Sequence, residues 1–250
     1  MEYSLALILL FFVVAIIAGW VDAIAGGGGL VTIPVMLAAG VPPAAAIATN
    51  KLGGVAGTFS ASWHFIRTGQ IDFRTSAIMI PTTFLGALLG GYLLNRINSE
   101  FLTFIIPVLL IGFALYFLFS PGIGELDKKT IIPVSLFAGL PAPLIGFYDG
   151  FFGPGTGTFF CLALVLLLGY NLVKSTANAK LLNFSSNLAA LIYFISSGSI
   201  LWQVGIAMLL GQFIGGYLGA RMIVKNGKKL IKIIMTIMAF AISAKIMLAR

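Results

Sequence analysis

Apolar runs long enough to cross a bilayer succeed one another along almost the whole of this chain, and no soluble fold can bury them all. Of 250 residues, 60% are apolar and only 9% charged, against about half and about a quarter in an ordinary soluble domain. Too few charges remain to cover a globule with a solvated surface. Disorder is excluded as well, because disordered chains are poor in apolar residues. What remains is an all-α polytopic membrane protein. One crossing takes about 20 residues, so the length accommodates about eight to ten transmembrane elements and leaves no room for a soluble catalytic domain.

The runs predict helices over 3–25, 44–66, 75–95, 100–119, 130–152, 173–196, 200–222 and 229–249. Two shorter apolar pieces, 30–39 and 157–169, each follow a glycine-rich break and are too short to span alone at 1.5 Å per residue. They read as half-helices near the midplane or as thin tilted spans. The first run, Leu5 to Ala18, lacks a basic leader and leads into Gly19-Trp20-Val21-Asp22, so it reads as a retained helix rather than a signal peptide. A polar stretch ending at Lys129 divides the chain into a first unit over 1–120, a linker over 121–129 and a second unit over 130–250.

The two units repeat one another. Gly19-Trp-Val-Asp22-(x3)-Gly26-Gly-Gly28 matches Gly146-Phe-Tyr-Asp149-(x3)-Gly153-Pro-Gly155 at an offset of 127. Asn50-Lys51-Leu52 matches Ala179-Lys180-Leu181 at 129, as Thr68-Gly69-Gln70-Ile71 matches Ser197-Gly198-Ser199-Ile200. Leu85-Gly86-(x3)-Gly90-Gly91-Tyr92-Leu93 matches Leu210-Gly211-(x3)-Gly215-Gly216-Tyr217-Leu218 at 125. Four blocks in one order at nearly constant offset mark a duplication, and duplicated membrane chains place substrate sites between their repeats. Loop charge sets the orientation. Arg67 and Arg74 flank a loop whose mate at 197–200 has no basic residue, whereas the loop carrying Arg96 answers to one carrying Arg221, Lys225, Lys228, Lys229 and Lys232. Basic loops mark the cytoplasmic side, so matched loops face opposite ways and the repeats are expected to be inverted. Loops 67–74, 120–130 and 221–229 then lie inside and both termini outside. If the short pieces re-enter without crossing, eight spans remain.

Of seven carboxylates, Glu2, Asp72, Glu100, Glu125 and Asp127 are terminal or in loops. Asp22 and Asp149 lie within apolar surroundings at matched positions, and Lys51 and Lys180 are the matched pair of buried cations. Ionisable groups inside a bilayer cost several kcal/mol unless paired or hydrated. These four are therefore candidates for function, or for ion pairs that merely hold the fold. The breaks Gly26-Gly27-Gly28-Gly29 and Gly153-Pro154-Gly155-Thr156-Gly157 put irregular backbone at membrane depth, tolerated only where it is buried in protein or lines a cavity. A half-helix beginning there aims N–H groups at the cavity, which suits an anion. Thr176, Lys180, Asn183 and Asn187 fall on one helix face; the matched face carries Ile47, Lys51, Gly54 and Thr58, with Thr49 and Asn50 beside it. A buried ammonium with N–H donors fits a small oxyanion better than a cation. Gly86-x3-Gly90 and Gly211-x3-Gly215 read as close helix packing. Cys161 reads as a small packed hydrophobe, His64 as a packed interfacial histidine, and Trp20, Trp63 and Trp202 as anchors near span ends.

The glycine blocks, Ala48-Thr49-Asn50-Lys51-Leu52, Gly153-Pro154-Gly155 and Asn178-Ala179-Lys180 together resemble the sulfite exporter TauE/SafE family, over essentially the whole chain and in its branch of largely uncharacterised bacterial inner-membrane proteins. The resemblance implies a secondary transporter, expected as an exporter, of a small sulfur-containing anion such as sulfite or an organosulfonate, in a bacterial or archaeal inner membrane. The substrate-binding candidates are Gly26, Gly27, Gly28, Gly29, Thr49, Asn50, Lys51, Gly153, Gly155, Thr156, Asn178, Lys180 and Asn183, with Asp22 and Asp149 to couple a proton by alternating access. Pro154, Thr156 and Ala179 break the match between repeats, which argues against a fully two-fold site. The expected partners are the bilayer and a small anion, as monomer or homodimer, without nucleic acid, cofactor or metal. An anion channel, or a transporter of another small anion or of a cation, remains open. An intramembrane enzyme lacks a metal motif or a nucleophile–base pair.

Overall fold

The computed structural model describes residues 3–94, 96 and 129–248, with side chains as far as residue 227. The helix expected over 100–119 and nearly all of the 121–129 linker lie outside the described residues. Among the described residues every regular element is a helix: α1 (Leu5–Ala25), α2 (Gly28–Ala38), α3 (Pro43–Arg67), α4 (Phe73–Leu94), α5 (Val134–Gly139), α6 (Pro141–Phe151), α7 (Thr156–Leu168), α8 (Leu172–Ser197) and α9 (Trp202–Leu248). Among the described residues four stretches are long and apolar enough to cross a bilayer: α1, α4, the α5–α6 pair and α9 up to Gly227. α3 and α8 are as long but carry the polar stripe. The short pieces α2 and α7 start at the glycine breaks, as their sequence implies. The loop expected over 221–229 shrinks to one non-helical residue, Gly227, with φ 57° and ψ −143°.

Local chemistry places the ends. The Ser4 hydroxyl accepts from the Leu7 N–H to open α1, and Asn171 caps Lys174 at the start of α8. Before α4, Asp72 accepts from the Thr75 hydroxyl and from the Arg74 and Thr75 N–H groups. The Thr75 hydroxyl is foremost in holding this loop carboxyl below the usual carboxylate range. α1 ends because Gly26 turns left-handed, at φ 80°, a region open to glycine without penalty.

Among the described residues three helix crossings carry the bundle: α1 on α9, α3 on α9, and α4 on α6. All are made by small residues. A Cβ on Gly90 would strike the Phe147 carbonyl oxygen, one on Gly150 that of Ala87, and one on Gly215 that of Ile16. The helices therefore meet backbone to backbone. Their outer faces are apolar, with Leu85 at 59% and Leu89 at 63% exposure on α4 and Leu210 at 53% on α9, as lipid-facing surfaces must be.

α3 and α8 pack antiparallel through the centre. The Leu201 N–H donates to Thr49 Oγ1 (3.1 Å) near the start of α3, and Ser76 Oγ donates to Asn178 Oδ1 (2.8 Å) near the start of α8. The loop after α8 thus sits by the beginning of α3, and the loop after α3 sits by the beginning of α8. The two loops are separated by the stretch of α3 from Thr49 to Arg67, about 27 Å of helix.

The crossings predict sharp intolerance. Gly90→Leu and Gly215→Leu should each destabilise by about 3 kcal/mol or more, whereas Gly139→Ala, which meets nothing within 4 Å, should stay within about 0.5 kcal/mol. Thermal unfolding in detergent, followed by size exclusion, compares the three.

Candidate functional site

The glycine breaks meet at the centre of the molecule. Gly26 lies against Gly157 and Thr158 so closely that an added Cβ would strike their backbone, and Gly29 packs on Pro154. The Thr158 hydroxyl donates to the Ala25 carbonyl across the same contact. This meeting brings the end of α1, with Asp22, beside α8, and the end of α6, with Asp149, beside α3.

Each lysine then pairs with the carboxylate of the other half. Lys51 Nζ lies 2.8 Å from Asp149 Oδ1, with both side chains 1–2% exposed. Lys180 Nζ lies 3.0 Å from Asp22 Oδ2, with Asp22 13% exposed. The contacts are reciprocal: positions matched at offset 127 bind positions matched at offset 129. The same crosswise rule governs Thr49–Leu201 and Asn178–Ser76.

The two pairs are not equivalent in detail. Asp22 uses its second oxygen, Oδ1, to accept from the Gly28 N–H at 3.1 Å, so the N-terminus of α2 already holds a carboxylate. Asp149 Oδ2 is buried and has no hydrogen-bond partner among the described residues. Gly153, where a Cβ would lie 2.7 Å from Lys51 Nζ, leaves the ammonium room beside the break. Gly157 does the same for Lys180, at 2.6 Å.

Between the pairs lies a polar cavity of about 20 Å³, room for about one water molecule. Of the residues singled out from sequence, Asp22, Gly28, Gly29, Asn50, Lys51, Asp149, Gly153, Gly155 and Asn183 line it, with Gly54 and Asn187 of the two matched faces. Asn50 Oδ1 accepts from Thr32 Oγ1 at 2.6 Å, and Asn187 Nδ2 donates to Asn183 Oδ1 at 2.9 Å. Six of the named residues do not line the cavity. Lys180 reaches it through Asp22; Thr49 and Asn178 tie helix starts together; Thr156 donates to the Gly153 carbonyl at 2.6 Å; Gly26 and Gly27 form the turn between α1 and α2. One lining residue escapes the sequence reading: Gln212 of α9, which sits inside a Gly-rich block that reads as packing. Cys161 is buried against Thr176 and His64 stands edge-on to Tyr217, and neither lines the cavity. Among the described residues no group of His, Cys, Asp and Glu is placed to hold a metal ion.

A central polar cavity crossed by reciprocal ion pairs, inside an apolar helical bundle, is a membrane-protein site, and comparison with known proteins says of which kind. The profile described as Sulfite exporter TauE/SafE matches residues 11–246. The chain belongs to this family. It is 44% identical over 245 residues to a "Probable membrane transporter protein" of Haemophilus influenzae, covering 98% of this chain and 96% of that one. It is equally 44% identical over 247 residues to the "Probable membrane transporter protein YfcA" of Escherichia coli K12, covering 99% and 91%. A more distant relative, "Probable membrane transporter protein YunE" of Bacillus subtilis, is 25% identical over 259 residues. No solved structure shows a significant match. As a member of a family of probable membrane transporters with several apolar helices, the chain is a multi-pass membrane protein.

The ion pairs make a test independent of substrate. Lys51→Met alone strands Asp149 in a dry interior and should cost about 3–5 kcal/mol. Adding Asp149→Leu should recover most of that, and a thermal-unfolding double-mutant cycle reads the coupling.

Proposed function

We propose that the protein is a secondary transporter of a small sulfur-containing anion, sulfite or an organosulfonate, and that it works by alternating access between two inverted halves of a bacterial inner-membrane protein. The observation that carries this reading is the crosswise pairing of Lys51 with Asp149 and of Lys180 with Asp22 around one cavity. Such pairs join the halves, and an anion that competes for the lysines would part them. The cavity of about 20 Å³ has no space for sulfur with its oxygens, so entry requires the halves to separate, which couples binding to the conformational change. The family supports the class of substrate, and the two ammonium groups support its sign.

The charge sum supports proton coupling. Two carboxylates and two ammoniums make the paired site neutral. Adding a monoanion leaves one uncompensated negative charge in a low-dielectric interior, which is expensive. Protonating one aspartate restores neutrality and frees its lysine for the anion. Asp149 is the better carrier: among the described residues its Oδ2 has no donor, so a proton there displaces no hydrogen bond, whereas both Asp22 oxygens already accept hydrogen bonds. The proton leaves as the anion leaves and the Lys51–Asp149 pair re-forms. Inverted topology is supported by the loops after α3 and α8, which lie at opposite ends of the central helix pair and differ in basic charge.

Lys51→Ala and Lys180→Ala should each lose sulfite and sulfoacetate binding while remaining extractable; unchanged binding in both would sink the assignment. In liposomes, Asp149→Asn should transport without response to a pH gradient, while Asp22→Asn should retain that response in whatever flux survives. The topology is checked with Cys161→Ser as background: Gln70→Cys and Ser199→Cys should label from opposite faces of the membrane.

A further inference from the structure

Gln212 lines the cavity from the second half, whereas its mate at offset 125 in the first half, Ala87, does not. It is 2% exposed, and among the described residues its Nε2 has no hydrogen-bond partner. A buried amide donor left unpaired is costly and uncommon, all the more at membrane depth. Its setting is built rather than accidental. The amide lies over Gly53 and Gly57, one turn apart on α3: a Cβ on Gly53 would come 2.6 Å from Nε2 and 3.0 Å from Cδ, and one on Gly57 3.3 Å from Oε1. At the matched positions the second half has Leu182 and Ser186. Glycines here thus accommodate the amide beside Lys51, where the other half has larger side chains and only the methyl of Ala87.

We infer that Gln212 is a substrate contact: its Nε2 donates to an oxygen of the bound anion and makes the site selective for oxyanions held in one orientation. This rests on the anion-transport reading given above. A halide has charge for the lysines, but it lacks the separate oxygens that let one anion reach both an ammonium and a distinct amide donor. Sulfite and sulfonates present several acceptor oxygens at fixed angles. Because the counterpart of Gln212 in the first half is Ala87, the anion meets two unlike walls, and the oxygen facing Gln212 is distinguished from those facing the lysines.

The test uses detergent-purified full-length protein and equilibrium binding of sulfite and of sulfoacetate, with chloride as competitor. Gln212→Leu should weaken binding of both oxyanions about tenfold or more and make chloride a relatively better competitor. Its unfolding temperature without anion should stay equal or rise, because an apolar group replaces an unpaired donor. Gln212→Glu should abolish binding by placing a carboxylate at the anion. Gly53→Ala, which leaves Gln212 in place but displaces its amide, should weaken binding in the same direction and carries the test if a Gln212 variant fails to fold. Wild-type protein that binds neither oxyanion overturns the functional reading itself. Wild-type protein that binds, with Gln212→Leu and Gly53→Ala binding equally well, overturns the role of Gln212 alone.

Discussion

A dry interior accepts a lysine only with a counter-charge, and here each counter-charge is supplied from the opposite half of the chain. The arrangement of the centre follows from that requirement. Asp22 comes within 3.0 Å of Lys180, and Asp149 within 2.8 Å of Lys51, only because the two helix breaks touch, and they touch only because Gly26 and Gly157 have no side chains to separate them. Glycine contacts at the α1–α9 and α4–α6 crossings bring the same helices to that distance. Buried ion pairs are nevertheless poor sources of stability, since well-packed apolar residues of similar volume often do as well. Four charges held at the centre of an apolar bundle are better accounted for by what they can release and bind than by the cohesion they provide.

Much of this is legible in the sequence, for a physical reason. A charge within an apolar run is conspicuous, so Asp22, Asp149, Lys51 and Lys180 stand out from loop residues, and the glycine breaks mark where helices must stop. The pairing is not legible. Matched positions reveal equivalence, whereas contact depends on how the halves are turned toward each other, and only the folded chain shows that Lys51 reaches Asp149 rather than Asp22. Thr49 and Asn178 carry polar groups next to the lysines and read as binding residues. In the structure they satisfy backbone and hydroxyl partners at helix starts, an obligation that every buried polar group carries. Gln212 stays hidden because its mate is Ala87 and it lies within Gly211-x3-Gly215. An amide inside a stripe of small residues is the signal that could expose it.

The boundaries show the same division. Gly26, Gly155 and Gly198 end or begin helices with left-handed backbone, close to where the apolar runs stop and start. Gly227 carries the turn between two helical stretches alone, where basic residues imply a longer loop. Hydropathy reports where a chain leaves the membrane, but it does not report how few residues a turn needs when one of them is glycine.

Reciprocity bears on how such a protein could alternate. Two states facing opposite sides must lie within a few kcal/mol of each other, or one would never be visited. Matched ion pairs provide that balance: whichever side opens, the pair that parts and the pair that holds are of the same kind, Lys to Asp across the halves. Selectivity has the opposite need, because an anion is recognised by donors at particular angles and not by a symmetric average. Under the proposed function both needs would be met by a matched charged layer beside a neutral layer that differs, with Gln212 against Ala87, Gly53 against Leu182 and Asn50 against Ala179. Neutral substitutions perturb the balance between states by little compared with an unmatched charge, whose isolation at this depth would fix the protein on one side. Differences between the halves can therefore accumulate in the amides and glycines around the cavity, while the lysines and aspartates are held as matched pairs.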